Sequence, residues 1–130
     1  MDEWKSALKG DPTDWLLEDD DPTVRYLTLT GILGAGADEP EAVKARRRIM
    51  ETGLVPRILD AQAAGGWWGT KDAFYTEKYS GTVWQLIILA ELAAPDDGRV
   101  RKAVEFLLEN SQDRESGYRK NDGNWTFHIF

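Results

Sequence analysis

Six aromatic residues fall within the eighteen positions from Trp67 to Trp84: Trp67, Trp68, Phe74, Tyr75, Tyr79 and Trp84. Lys71, Asp72, Glu77 and Lys78 are interleaved with them. An aromatic face stabilises a cation by about 0.5–2 kcal/mol, more when dry, which suits carbocation chemistry. The same faces stack on sugars, and a tyrosine adds a hydrogen-bonding end. Trp67, Trp68, Asp72, Phe74, Tyr75, Tyr79 and Trp84 are therefore a candidate surface for an apolar or sugar ligand. The competing reading is that the rings pack the loop onto the helix after it, because a loop of about 14 residues without secondary structure needs anchors.

Little else in the chain suits catalysis. It has 130 residues, no cysteine and one histidine, His128. Thiolate nucleophiles and Cys-ligated metal sites are excluded, and a Ser-His-Asp triad is disfavoured. His128, beside the terminus, reads as a partly exposed polar residue rather than a base. Gly65, Gly66 and Gly69 lack the lysine and hydroxyl spacing of a phosphate loop. Asn124-Trp125-Thr126 is a glycosylation sequon that matters only in a secreted chain. No catalytic residue, metal or cofactor is assigned. The formal charge is −7, and residues 1–40 carry all of it, with ten acidic and three basic side chains. Such a surface repels nucleic acid and anionic lipid. The basic run Lys44, Arg46, Arg47 and Arg48 reads as the solvated C-terminal end of a helix that begins with acids. No apolar run reaches membrane-spanning length, and the N-terminus is too acidic for a signal peptide, so a cytoplasmic protein is expected.

The elements that must position these residues are helical almost throughout. A short helix is expected over Glu3–Leu8, and a second carries Trp15, Leu16 and Leu17. Asp21-Pro22 is an N-cap followed by proline at the first helical position. The helix it starts places Val24, Leu27, Thr28 and Ile32 on one face. Pro40 starts another, with Ala42, Val43, Ile49 and Met50 as its apolar stripe and Gly53 after its end. Leu54–Gln62 should bury Leu54, Val55, Ile58 and Leu59. Residues 82–93 are apolar almost all round and predict the most buried helix. Arg99–Asn110 should turn Val100, Ala103, Val104, Leu107 and Leu108 inward. The segment from Thr126 to Phe130 is a candidate extended piece.

Two stretches share a plan: LVPRILDAQAAGGWW and AVEFLLENSQDRESGY. Each is an apolar helix, a glutamine, a few small or polar residues, then glycine and an aromatic. Gln62 and Gln112 lie 50 residues apart, a period that points to an array of helical hairpins. The first copy, Ile58, Gln62, Gly66 and Trp68, resembles the QW motif of terpenoid cyclases of the squalene–hopene kind. The second, Leu108, Gln112, Ser116 and Tyr118, is degenerate, with Gly117 displaced by one. The resemblance implies an all-α fold of antiparallel helical hairpins, part of an α/α toroid shared with protein prenyltransferases. It covers residues 54–120, between acidic helices over 1–53 and an apolar tail over 121–130. It implies a tying role for Gln62 and Trp68.

The family's catalytic devices do not carry over. The prenyltransferase zinc site needs a cysteine. The nearest match to the cyclase DxDD acid motif is Glu18-Asp19-Asp20-Asp21, whose first position is Glu and whose place at a helix start favours carboxylates anyway. The expected function is a non-catalytic cyclase-like domain with an aromatic surface. One alternative is a protein-binding scaffold, since residues 15–34 also resemble a HEAT-type helix whose Arg25 pairs with Asp19, Asp20 or Asp21. Another is a piece of a terpenoid-cyclase-like or glycan-acting enzyme. A closed ring needs more hairpins than the chain provides, so a fragment or a partner-completed unit is expected. Trp125, Phe127, Ile129 and Phe130 predict a weak-to-moderate dimer through residues 118–130.

Overall fold

The computed structural model describes residues 3–113, 117–119 and 126–127. Up to Ser111 the described residues form helices and turns, the all-α class expected. A 3-10 turn over Glu3–Ala7 leads to α1 (Thr13–Leu16). The Asp11 carboxylate accepts from the Thr13 hydroxyl and from its amide, the latter at 3.0 Å, and meets Lys5 at 3.1 Å. Those partners hold the Asp11 carboxyl at about 2, below the usual carboxylate range.

Helix α2 (Pro22–Leu27) starts where the proline requires it. Asp21 accepts from the Thr23 and Val24 amides at 3.0 and 3.1 Å, filling two of the orphan donors of the first turn. The helix then widens into a π turn over Thr28–Ile32, closed by the Leu33 amide on the Thr28 carbonyl at 2.9 Å. The inward face differs from the one expected. Pro22, Tyr26 and Thr28 are buried, whereas Val24, Leu27 and Ile32 are exposed. Tyr26 is the largest ring here and takes the core side with Pro22 four residues before it, which rotates Val24 and Leu27 outward.

Helix α3 (Pro40–Ile49) packs on α2 through Ala42, Ala45 and Ile49, all essentially dry. Val43 is exposed, a correction to the expected stripe. The two alanines let the backbones approach, and Val43 lies about 100° round the helix from Ala42. Arg25 fastens the same pair. Its guanidinium reaches Glu41 at 2.9 Å and Asp19 at 3.7 Å, and donates to the Leu17 carbonyl. Arg48 meets Asp19 from α3 at 3.2 Å.

Gly53, at φ 87°, turns the chain into α4 (Leu54–Asp60), which buries Val55 and Leu59. Ile58 is half-buried against the core, and Leu54, first in the helix and on its outer side, is exposed. Helix α5 (Thr82–Glu91) packs against α6 (Gly98–Ser111) and α4. Its end is tied to the start of α2 by the Thr23 hydroxyl, which donates to the Leu92 carbonyl at 3.0 Å.

Helix α5 is less fully enclosed than its all-round apolar composition suggests. Only Thr82 and Leu89 are fully buried on it, and Ile87 is 49% exposed. An all-round apolar helix needs neighbours on every side. The larger helix contacts of α5 are with α6 and α4, and the side that carries Ile87 stays open. On α6, Ala103 points inward as expected and Phe106 joins it, whereas Val104 and Leu108, expected inside, are exposed. The core thus joins α2 through α6: Tyr26, Ala42, Ala45, Ile49, Val55, Leu59, Trp68, Leu89 and Ala103.

After α6 come three short antiparallel strands in sequential order, β1 (Gln112–Asp113), β2 (Gly117–Arg119) and β3 (Thr126–Phe127). The last falls in the stretch expected to be extended.

The burial pattern sets a contrast within one helix. Leu89→Ala should cost about 2–5 kcal/mol. Ile87→Ala, two residues earlier on the open side, should change stability by less than about 1 kcal/mol. Urea midpoints of the two variants measure the difference; equal losses would mean that α5 is covered on both sides.

Candidate functional site

The aromatic loop is hung from α4. Gln62, just past the end of that helix, donates both amide hydrogens of its Nε2, one to the Gly66 carbonyl at 3.1 Å and one to the Arg99 carbonyl at 2.9 Å. Arg99 is the second residue of α6, so one side chain joins a helix end, a turn and a helix start. The Trp68 indole donates to the Ile58 carbonyl at 2.7 Å, and the Trp68 amide donates to the Thr82 hydroxyl at 3.1 Å. Ile58, Gln62, Gly66 and Trp68 are therefore bonded in two pairs that fasten the loop to α4, α5 and α6. Gly66 has φ 101°, and a Cβ there would stand 2.8 Å from the Lys102 carbonyl oxygen, so only glycine fits. In the second copy, Leu108 is exposed, and Gln112 and Tyr118 are register partners across β1 and β2. Ser116 lies outside the described residues.

The six rings do not converge on one surface. Trp68 and Phe74 are each 3% exposed and belong to the packed interior. Trp67 and Phe74 instead meet Phe106 of α6, at 5.4 and 6.4 Å between centroids. Phe106 was not expected inside. Its place three residues after Ala103 on one helix face is the signal that would have found it. The second group is outward. Trp84 stacks with Tyr75 at 5.9 Å and meets Tyr79 edge-on at 5.5 Å. The Trp84 indole donates to the Tyr75 carbonyl at 2.8 Å. Tyr75 and Trp84 are half-buried, and Tyr79 is 63% exposed.

Tyr79 also has φ 70°, in the left-handed region that tyrosine rarely enters. The Gln85 side chain donates to its carbonyl at 2.6 Å and holds that conformation. The loop between the ring groups is clamped by Glu77, whose Oε2 accepts from the Thr70 amide at 3.0 Å. The Thr70 hydroxyl and amide together hold the Glu77 carboxyl below its ordinary value. Lys78 stands over the Tyr79 ring at 5.1 Å, and Lys71 over Trp67 at 5.3 Å. Asp72, on the 3-10 turn Lys71–Ala73, is exposed and already has a partner.

Away from the rings, a cleft of about 100 Å³ is lined by Asp20, Asp21, Thr23, Leu54 and Leu92, among others. That is small beside the roughly 300–1,000 Å³ of ordinary ligand pockets. None of the loop's rings lines it. In the acidic run, Asp21 caps α2 and Asp19 pairs with Arg25 and Arg48, while Glu18 and Asp20 are exposed. In the basic run, Arg48 is on Asp19, Arg46 stands over the Tyr26 ring at 5.5 Å, and Lys44 and Arg47 are exposed. Among the described residues, no group of three His, Cys, Asp or Glu is placed to hold a metal ion. No described helix is long and apolar enough to cross a membrane. His128, Trp125, Ile129 and Phe130, and with them most of the expected contact over 118–130, lie outside the described residues. No protein-family model, curated protein or solved structure matches the chain.

Two outcomes are expected. Gln62→Ala leaves two carbonyls without their donor and should cost about 1–3 kcal/mol, read as a lowered melting temperature; an unchanged melt would remove the tie. The Glu77 clamp has a depressed carboxyl, so its contribution is complete above the ordinary carboxyl value of 4.5 and is lost as pH falls through the lowered folded value. An acid titration of the near-ultraviolet aromatic signal should show this step, and Glu77→Gln should abolish it.

Proposed function

We propose that the chain is a non-catalytic helical binding domain, of the α/α-array kind that its QW-like repeat resembles, and that Tyr75, Tyr79 and Trp84 hold a sugar. The observation that carries the reading is Tyr79. A non-glycine residue at positive φ costs on the order of 1–3 kcal/mol and persists where the surroundings over-determine it. Here that cost sets an aromatic ring in water beside Trp84. A burial role for that ring does not account for the strain.

An open ring group also suits a sugar better than an apolar ligand. An apolar molecule needs a concave site that covers most of its surface. A pyranose needs a flat aromatic face for its C–H side and polar atoms at the edge for its hydroxyls. Tyr75, Tyr79, Lys78 and Gln85 supply that edge. Trp68 and Phe74, buried in the interior, take no part, and Trp67 with Phe106 forms a separate packed group.

Calorimetry with a panel of soluble oligosaccharides tests the reading. At least one should bind in the micromolar to millimolar range, and Tyr79→Ala should weaken it about tenfold or more without lowering the melting temperature. Absence of binding across neutral, uronate and sulfated members would overturn the reading. A second reading, a protein-binding scaffold, has its own observation: Val24, Leu27, Ile32 and Leu33, on α2 and its π turn, are each 38–46% exposed. Under that reading, serine at Leu27 and Ile32 abolishes partner capture and Tyr79→Ala does not.

A further inference from the structure

We infer that the sugar taken at Tyr75, Tyr79 and Trp84 is an anionic one, bearing a carboxylate or sulfate that Lys78 pairs with. The inference rests on the sugar-binding reading above and adds the charge of the ligand. Its basis is how the loop disposes its charged side chains. Four lie between the first and last rings: Lys71, Asp72, Glu77 and Lys78. The Glu77 carboxylate is drawn onto the Thr70 amide and hydroxyl, and Asp72 already has a partner. The two ammonium groups instead stand over ring faces, Lys78 on Tyr79 and Lys71 on Trp67. A sugar that lays its C–H face against the outer rings meets the Lys78 ammonium at its rim. There an acidic substituent gains charge-assisted hydrogen bonds, which are roughly twice as strong as neutral ones. A neutral sugar gains nothing comparable and must share the Tyr79 face with a hydrated cation.

The acidic N-terminal third does not cancel this. Residues 41–130 hold equal numbers of acidic and basic side chains. At physiological ionic strength, exposed charges more than about 8 Å apart are largely screened. At the outer rings, Lys78 is the cation that stands over a ring face.

The experiment compares one backbone with and without its charge. Trigalacturonate, its methyl ester and a heparin-derived tetrasaccharide are titrated into the full chain by calorimetry at low and moderate salt. The acid should bind about tenfold more tightly than its ester at low salt, with the gap closing as salt rises. Lys78→Gln should close the gap between acid and ester, and Lys78→Arg should restore it. Tighter binding of the heparin fragment than of the uronate would assign the substituent as sulfate, the reverse as carboxylate. Equal binding of acid and ester would overturn the inference and leave the sugar reading standing, whereas no binding by any of the three would overturn the inference and count against both.

Discussion

Everything at the aromatic loop depends on the two carbonyl oxygens that Gln62 reaches. A primary amide has two hydrogens to give, and here both go to backbone, one in the turn after α4 and one at the start of α6. Without them the turn at Gly66 would lose its tie to the helix that follows fully 30 residues later in the chain. Trp68 completes the fastening from the other side, indole to α4 and amide to α5. A loop with almost no regular structure is thereby held at both edges, and its remaining rings fall where that frame leaves them.

The frame divides the rings into two kinds. Trp68 and Phe74 are drawn inside, and Trp67 leans on Phe106. Those farther along reach α5 only from outside, around Trp84.

Local chemistry made part of this legible in the sequence. Asp21-Pro22 and Pro40 mark helix starts because proline's fixed φ, and at Asp21 a side-chain cap, act within a few residues. The spacing from Ile58 to Trp68 is legible for the same reason: its bonds close within ten residues. The inward faces were less legible, because they depend on partners that sequence spacing does not name. Val43, Leu54, Val104 and Leu108 are apolar and exposed, while Phe106 and Thr82 are inside because a ring and an amide from the loop arrive beside them. Composition overstated the burial of α5 because it counts apolar residues and not the helices available to cover them. The division of the rings was hidden for a related reason, since Phe106 enters from over twenty residues away.

The π turn at Thr28–Ile32 has a consequence for how this chain tolerates change in length. A π turn is an α-helix carrying one surplus residue, and its backbone pairing, Leu33 to Thr28, spans five residues where four suffice. Loss of one residue inside it would return the segment to ordinary α pairing instead of breaking the helix. The residues beyond it would turn by about 100° about the helix axis. Exposed Ile32 and Leu33 would then trade places with half-buried neighbours while Pro22 and Tyr26 stayed seated against α3. The end of this helix is a place where a single deletion re-aims a surface and spares the core.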